Sequence, residues 1–166
     1  WTDVRPIENG NHVEAALIHL GEGKWLSASR RFSTLDLEIH GSDDDAHTWS
    51  KVTVLGVPSV SAAHLLKMSD GRILITYGNR SHGSYGIDSR VSEDGGKSWS
   101  APQRLVDLDA ADNGYPEAIE MENQRILVAY YVNGIAQHNR YHVGAVNFSI
   151  GELIPAKTGN PSVSKR

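Results

Sequence analysis

Tyr115 and Glu117 stand two positions apart in the run Asn113-Gly114-Tyr115-Pro116-Glu117-Ala118-Ile119. On an extended strand, residues two apart share a side, so this phenol and carboxylate are expected to point the same way and could share a cavity. A phenol is a poor nucleophile at neutral pH because its unperturbed pKa is about 10, and it needs a neighbouring base. Glu117 or Glu14 could supply that base. Glu14 lies among apolar residues, in Val13-Glu14-Ala15-Ala16-Leu17-Ile18. A carboxylate there must be paired or open to a cavity. Arg30 and Arg80 carry planar forks that suit a carboxylate ligand, and suit an ion pair between neighbouring sheets equally well. His64, in Ala62-Ala63-His64-Leu65-Leu66, is either a hydrogen-bonded core or channel residue or an acid–base group. His12, His82, His138 and His142 are scattered and read as loop residues, a weak metal set. The run Asp43-Asp44-Asp45 could attract a hard cation, but three adjacent carboxylates cannot all face one ion, so a solvated turn is the better reading. No metal and no cofactor is expected.

The elements that must position these groups come from a repeat. An apolar segment, a Gly- or Asn-containing turn and a second apolar segment recur three times. The copies are Ala15–Leu20, Gly21–Lys24 and Trp25–Arg30; Ala62–Met68, Ser69–Arg72 and Ile73–Tyr77; Pro116–Met121, Glu122–Arg125 and Ile126–Tyr131. Their spacing of roughly 50 residues is the length of one propeller blade. Asp70-Gly71 between two apolar runs is a hairpin signal, since Gly takes the positive φ the turn needs. Further short β-rich stretches follow, Leu35–His40 and Ile87–Val91, then Ser50–Leu55 and Pro102–Val106. Four short antiparallel strands per repeat make one blade. The expectation is therefore an all-β propeller of about three four-stranded blades, near residues 11–57, 58–108 and 109–150. The Gly-, Pro-, Ser- and Lys-rich stretch 151–166 reads as a tail or linker.

Composition agrees. The chain is 39% apolar and 22% charged, a globular balance. Its net charge of −4 and its scattered Lys and Arg argue against a nucleic-acid partner. No apolar run is long enough to span a bilayer, so no membrane partner is expected. Cysteine is absent, which removes disulfides, thiolate metal sites and thiol nucleophiles. The chain opens at Trp1 in mid-pattern, without a start methionine or signal peptide, and a processed or partial chain is expected.

Two turns share a pattern, Ser-x-Asp-x-Gly-x-x-Trp. One is Ser92-Glu93-Asp94-Gly95-Gly96-Lys97-Ser98-Trp99. The other is Ser42-Asp43-Asp44-Asp45-Ala46-His47-Thr48-Trp49, with Ala46 in place of the glycine. The Asp can bond back to backbone N–H groups, the Gly tolerates a left-handed backbone, and the Trp is expected to pack under the turn. This resembles the Asp-box, or bacterial neuraminidase repeat, of sialidases and related propellers. Two boxes about one blade apart, each after a hairpin, are specific for that fold. The third repeat has no box in Asn139–Ser149. Ser42, Asp44, Trp49, Ser92, Asp94, Gly96 and Trp99 are thereby assigned to turn stabilisation, on the face away from the active site.

The resemblance implies an active face built from the loops that enter each innermost strand and the loops between second and third strands. Those map onto Asn11, His12 and Glu14; Arg30 and Arg31; Ser61 and His64; Asn79, Arg80, Ser81, His82 and Tyr85; Asn113, Tyr115 and Glu117; Tyr131, Asn133 and His138. Tyr115 falls at the sialidase nucleophile position, with Glu117, Glu14 and His64 as further catalytic candidates. Arg30, Arg80, His82 and Tyr131 are the implied substrate contacts. The implied activity is that of an exo-acting glycoside hydrolase of the sialidase type on a glycan bearing an anionic sugar. Two alternatives stand: a lyase or glycosidase acting on uronic-acid-containing glycans, using His64 with Arg80 and Tyr115, or a non-catalytic carbohydrate-binding propeller. The family resemblance points to a secreted or periplasmic protein. Three blades cannot close a ring, so the partners expected besides a glycan are remaining blades or a second copy of this chain.

Overall fold

A computed structural model describes residues 4–135 and 138–153. Eleven strands form three antiparallel sheets in chain order. The first sheet comprises β1 (His12–Gly21), β2 (Lys24–Arg31), β3 (Leu37–Ser42) and β4 (Ser50–Val54). The second comprises β5 (Val60–Lys67), β6 (Ile73–Asn79), β7 (Gly86–Ser92) and β8 (Gln103–Asp107). The third comprises β9 (Asn113–Glu120), β10 (Arg125–Ile135) and β11 (His138–Ser149). Every neighbouring pair runs up and down, and the innermost strands β1, β5 and β9 lie side by side. These are three consecutive blades of a sialidase-type β-propeller. The third differs from expectation: among the described residues it has three strands rather than four, because Asn139–Ser149, where no box occurs, continues as β11. Of the expected tail, Gly151–Leu153 complete a single helical turn, α1 (Ile150–Leu153), and residues 154–166 lie outside the described residues.

The hairpins follow from local chemistry. Glu22 and Gly23 both have positive φ (51° and 73°), the two-residue turn whose twist matches the strands it joins. At the next hairpin the Asp70 carboxylate accepts from the Arg72 backbone N–H and guanidinium, and Gly71 supplies φ +89°. Packing then decides which faces are covered. Leu26, Ala28, Leu37 and Ile39 of the first blade meet Val60, Leu65, Ile73, Ile75 and Tyr77 of the second. On the other side, Leu74, Ile87 and Val91 of the second blade meet Ala118, Ile126, Val128 and Phe148 of the third. The middle blade is therefore covered on both faces, and all seven residues of β6 are buried.

The two boxes close their turns alike. Ser42 Oγ donates to Asp44 Oδ1 (2.8 Å), and Asp44 accepts from the N–H and hydroxyl of Thr48 (2.8 and 2.6 Å). Ser92, Asp94 and Ser98 repeat these bonds at 2.9, 2.9 and 2.5 Å. Those bonds, the Ser98 hydroxyl first, hold the Asp94 carboxyl down at about 2. The boxes part at their tryptophans. Trp99 packs against the core between blades one and two and donates its indole N–H to Gly96 O (3.0 Å). Trp49 is partly buried and lines a cavity with Ser42, Asp44 and Thr48 of its own turn, but it belongs to neither core cluster. Ala46 holds the left-handed conformation of the missing glycine, φ +64° against +88° at Gly96.

Trp99→Ala should lower stability by roughly 3 kcal/mol, a typical loss for a core aromatic, and Trp49→Ala by about 1 kcal/mol. Equal losses in thermal melts would contradict this division. Ala46→Gly should raise stability by about 1 kcal/mol by relieving a Cβ in left-handed backbone, and an unchanged or lower melting temperature would show that Ala46 is unstrained there.

Candidate active site

Each innermost strand carries a β-bulge at the same place near its entrance. Register slips between Val13 and Ala16 in β1 and between Val60 and Ala63 in β5. In the third blade it slips opposite Ala129 and Tyr131, between Gly114 and Glu117. Aligning the three slips puts Glu14, Ser61 and Tyr115 at corresponding positions, each directly after the residue (Val13, Val60 or Gly114) that pairs with Arg30, Asn79 or Tyr131 on the second strand. Bulges re-aim side chains and recur beside active sites. Glu14 and Tyr115 have φ of 56° and 45°, a conformation that costs non-glycine residues about 1–3 kcal/mol unless their surroundings hold it. Gly78 and Gly114 make room for this. A Cβ on Gly114 (φ +128°) would collide with the Ser61 side chain, and one on Gly78 with Ser61 and with the Gly114 backbone. Blades two and three thus close to backbone contact just where Tyr115 leaves the third.

Tyr115 reaches back to the first blade, where its Oη donates to Glu14 Oε1 at 2.5 Å. Arg30 Nε donates to the other oxygen, Oε2, also at 2.5 Å. Burial pushes the Glu14 carboxyl up, but the hydrogen bonds from Arg30 and Tyr115 and the charges of Arg30 and Arg80 outweigh it and hold the group below its ordinary range. The same bond, with burial second, raises the Tyr115 phenol. At neutral pH the pair is a neutral phenol on an ionised carboxylate. Glu14 also borders a cavity of about 290 Å³ lined by Ile7, Glu8, His12, Ser27 and Ser29 among others.

A second network adjoins the first. Arg80 Nε donates to Asn113 O (2.9 Å) and its Nη2 to Tyr131 Oη (2.7 Å), 3.6 Å from Asp112 Oδ1. Tyr131 donates in turn to Asp112 Oδ1 (2.6 Å) and Tyr141 to Oδ2 (2.6 Å). Burial, then the Asp112 bond, push the Tyr131 phenol up to about 12. The Tyr115 and Tyr131 rings lie 5.7 Å apart. On the same strand as Tyr115, Glu117 Oε2 meets His64 Nδ1 at 2.8 Å, joining β9 to β5.

The structure thus brings together Tyr115, Glu14, Arg30, Arg80 and Tyr131, with His64 and Glu117 as a separate pair beside them. Tyr115 and Glu117 are both exposed and alternate with the buried Pro116 and Ala118, but of the two candidate bases it is Glu14 that accepts from Tyr115, while Glu117 pairs with His64. His82 is exposed, 6.2 Å from the Tyr85 ring, and makes no contact with the cluster. Asp112 and Tyr141 were not anticipated. Asp112 has a faint signal, an acid just before an inner strand. Tyr141 sits in the box-less stretch and has none. Among the described residues, no group of three or more His, Asp or Glu side chains is arranged to hold a metal ion, and no helix is long and apolar enough to cross a membrane.

Comparison with known proteins places the chain. No curated protein matches it. Among solved structures, a Dyadobacter fermentans protein of unknown function is 26% identical (TM-score 0.68), over 82% of this chain and 37% of that one. An α-L-arabinofuranosidase of Fusarium graminearum in complex with arabinobiose is 14% identical (TM-score 0.67), over 84% and 45%. The NanB sialidase of Streptococcus pneumoniae is 22% identical (TM-score 0.63), over 89% and 24%. The chain therefore spans between about a quarter and a half of the length of these structures. Residues 1–129 match the BNR repeat-like domain, the repeat to which both Asp boxes correspond, and this chain is a member of that family.

Proposed function

We propose that these blades carry part of the catalytic site of a sialidase-like exo-glycoside hydrolase acting on glycans with an anionic sugar. The observation that carries the reading is the Tyr115–Glu14–Arg30 chain, two hydrogen bonds of 2.5 Å on the two oxygens of one carboxylate. Tyr115 Oη attacks the anomeric carbon while its proton passes to Glu14; the new C–O bond replaces the glycosidic C–O bond, whose oxygen takes a proton from a general acid. Water, giving up a proton to the conjugate base of that acid, then attacks the anomeric carbon and breaks its bond to the phenol oxygen, which recovers its proton from Glu14. A neutral nucleophile suits an anionic sugar, because a carboxylate nucleophile would repel the sugar's own carboxylate. Arg30 spends only Nε on Glu14, and no hydrogen bond from its two terminal nitrogens is seen among the described residues, which leaves a fork for that carboxylate. The likeness in fold to a sialidase and an arabinofuranosidase supports a carbohydrate substrate. Remaining blades or a second copy of the chain complete the ring in this reading.

The His64–Glu117 pair favours one second reading, elimination on a uronic-acid-containing glycan. There His64, oriented by Glu117, would take the proton next to the uronate carboxylate while a C=C bond forms and the glycosidic C–O bond on the adjacent carbon breaks, its oxygen leaving with a proton from a general acid.

In the whole protein, Glu14→Gln should lower kcat/KM on an aryl sialoside by roughly 10²–10⁴-fold, and Tyr115→Phe by at least as much, the range expected on losing a base or the nucleophile it serves. The double variant should be no worse than the worse single one, since the two act as a unit. Hydrolysis that survives unchanged in Tyr115→Phe would end the nucleophile assignment. Cleavage seen only as unsaturated-uronate absorbance, and lost in His64→Ala, would favour the elimination reading.

A further inference from the structure

We propose that Tyr131 and Tyr141, fixed by Asp112, form a rigid aromatic ledge that binds a second, uncharged sugar ring next to the Tyr115–Glu14 pair. The inference rests on the reading of that pair as the reacting position. Three tyrosines stand in a row that leads outward from the blade entrances, with ring centres 5.7 Å apart from Tyr115 to Tyr131 and 6.0 Å from Tyr131 to Tyr141. Successive rings are tilted by about 40° (39° and 42°), so the row forms a shallow step rather than a closed stack. Its outer member is 64% exposed and Tyr115 is 51% exposed, so ring faces are turned to solvent.

Exposed tyrosines are ordinarily free to change rotamer, and these are not. Tyr131 and Tyr141 donate to the two oxygens of a single carboxylate at 2.6 Å each, and Arg80 donates to the Tyr131 oxygen. Asp112 is held in turn, its carbonyl accepting from the Asn133 N–H at 2.8 Å. Both tyrosines stand on paired strands, with Tyr131 opposite Val143 and Asn133 opposite Tyr141, so the ledge is built on sheet rather than loop. A surface whose rotamers are locked beforehand loses little entropy on binding. Tyr141 adds nothing to either core, so its bond to Asp112 does little for the fold.

The chemistry selects the ligand. The C–H face of a pyranose is apolar and faintly positive, and it complements the negative face of an aromatic ring. Asp112 keeps lone pairs free for hydroxyls at the edge of such a ring, and its side chain is 43% exposed. Its charge disfavours a second anion there, and Arg80 is already committed to Tyr131, Asn113 and Asp112. The anionic sugar therefore belongs at Arg30 and the ledge takes a neutral one. A glycan with an acidic end and a neutral next residue would span both.

Saturation-transfer NMR on the whole protein, with lactose and with sialyllactose as probes, tests this. In the wild type, saturation should pass to the neutral hexose rings of both probes. Tyr141→Ala should weaken that binding by about tenfold, the worth of one good aromatic contact, and Tyr141→Phe, which keeps the ring, should retain most of it. Asp112→Asn should fall between them. No transfer to the hexose rings, or transfer indifferent to Tyr141→Ala, overturns the ledge. Hexose binding lost with Tyr141 in a protein that cleaves no sialoside would keep the ledge and remove the hydrolase reading; sialoside cleavage without hexose transfer would do the reverse.

Discussion

A sheet covered on both faces organises this protein. The second blade sends Ile73, Ile75 and Tyr77 of β6 to one core, and Leu74 of β6 with Ile87 and Val91 of β7 to the other. Removing apolar area from water is roughly proportional to area and has no direction of its own. Direction comes from the pleat, which sends successive side chains of one strand to opposite neighbours. Blades one and three are thereby pressed against the same sheet, and β1, β5 and β9 converge. Without that convergence, Glu14 and Tyr115, 101 positions apart in sequence, would have no reason to meet.

What the packing brings near, irregular backbone aims. The same bulge recurs at three strand entrances and is filled by a carboxylate, a serine and a tyrosine. Two of these hold left-handed backbone, and Gly114 beside Tyr115 and Gly78 on β6 let blades two and three close there. The electrostatics follow from the placement. Arg30 pairs with Glu14 and Arg80 lies beside Asp112, while Tyr115 donates to Glu14 and Tyr131 and Tyr141 donate to Asp112, so each carboxylate stays ionised and each phenol stays protonated. The boxes at the far ends of the sheets fix turns and leave this face free.

The architecture could be read from the chain because it is local and repeated. Apolar runs, hairpin turns and the Ser-x-Asp spacing each depend on a few neighbouring residues, and the strands formed within a few positions of where the pattern puts them. The third blade departs where the box is lacking, because nothing in Asn139–Ser149 marks a turn. The site was legible in membership and not in pairing. Tyr115, Glu14, Arg30, Arg80 and Tyr131 follow from blade positions, but period-two alternation leaves both Glu117 and Glu14 open as the base for Tyr115. The contact that selects Glu14 joins residues 101 positions apart, and Tyr115-Pro116 announces no bulge in sequence. Asp112 and Tyr141 meet only through pairing of β10 with β11, 29 positions apart, beyond the reach of any short motif. The first box's Trp49 shows the same limit, since its motif matches Trp99 while its surroundings do not.

One proton links the first and third blades at the site, held by the Tyr115 phenol and directed at Glu14. Its affinity can be read by ¹³C NMR of ring-labelled tyrosine through a pH titration, with the Tyr115 signal assigned by its loss in Tyr115→Phe. The hydrogen bond to Glu14 and burial both favour the protonated phenol, so Tyr115 should titrate above the ordinary value of about 10. In Glu14→Gln, where the carboxylate charge is gone, its midpoint should move back down toward that value. A Tyr115 that titrates at the ordinary value, and does so equally in the wild type and in Glu14→Gln, would mean that the two side chains do not share a proton and that the site is not built as described.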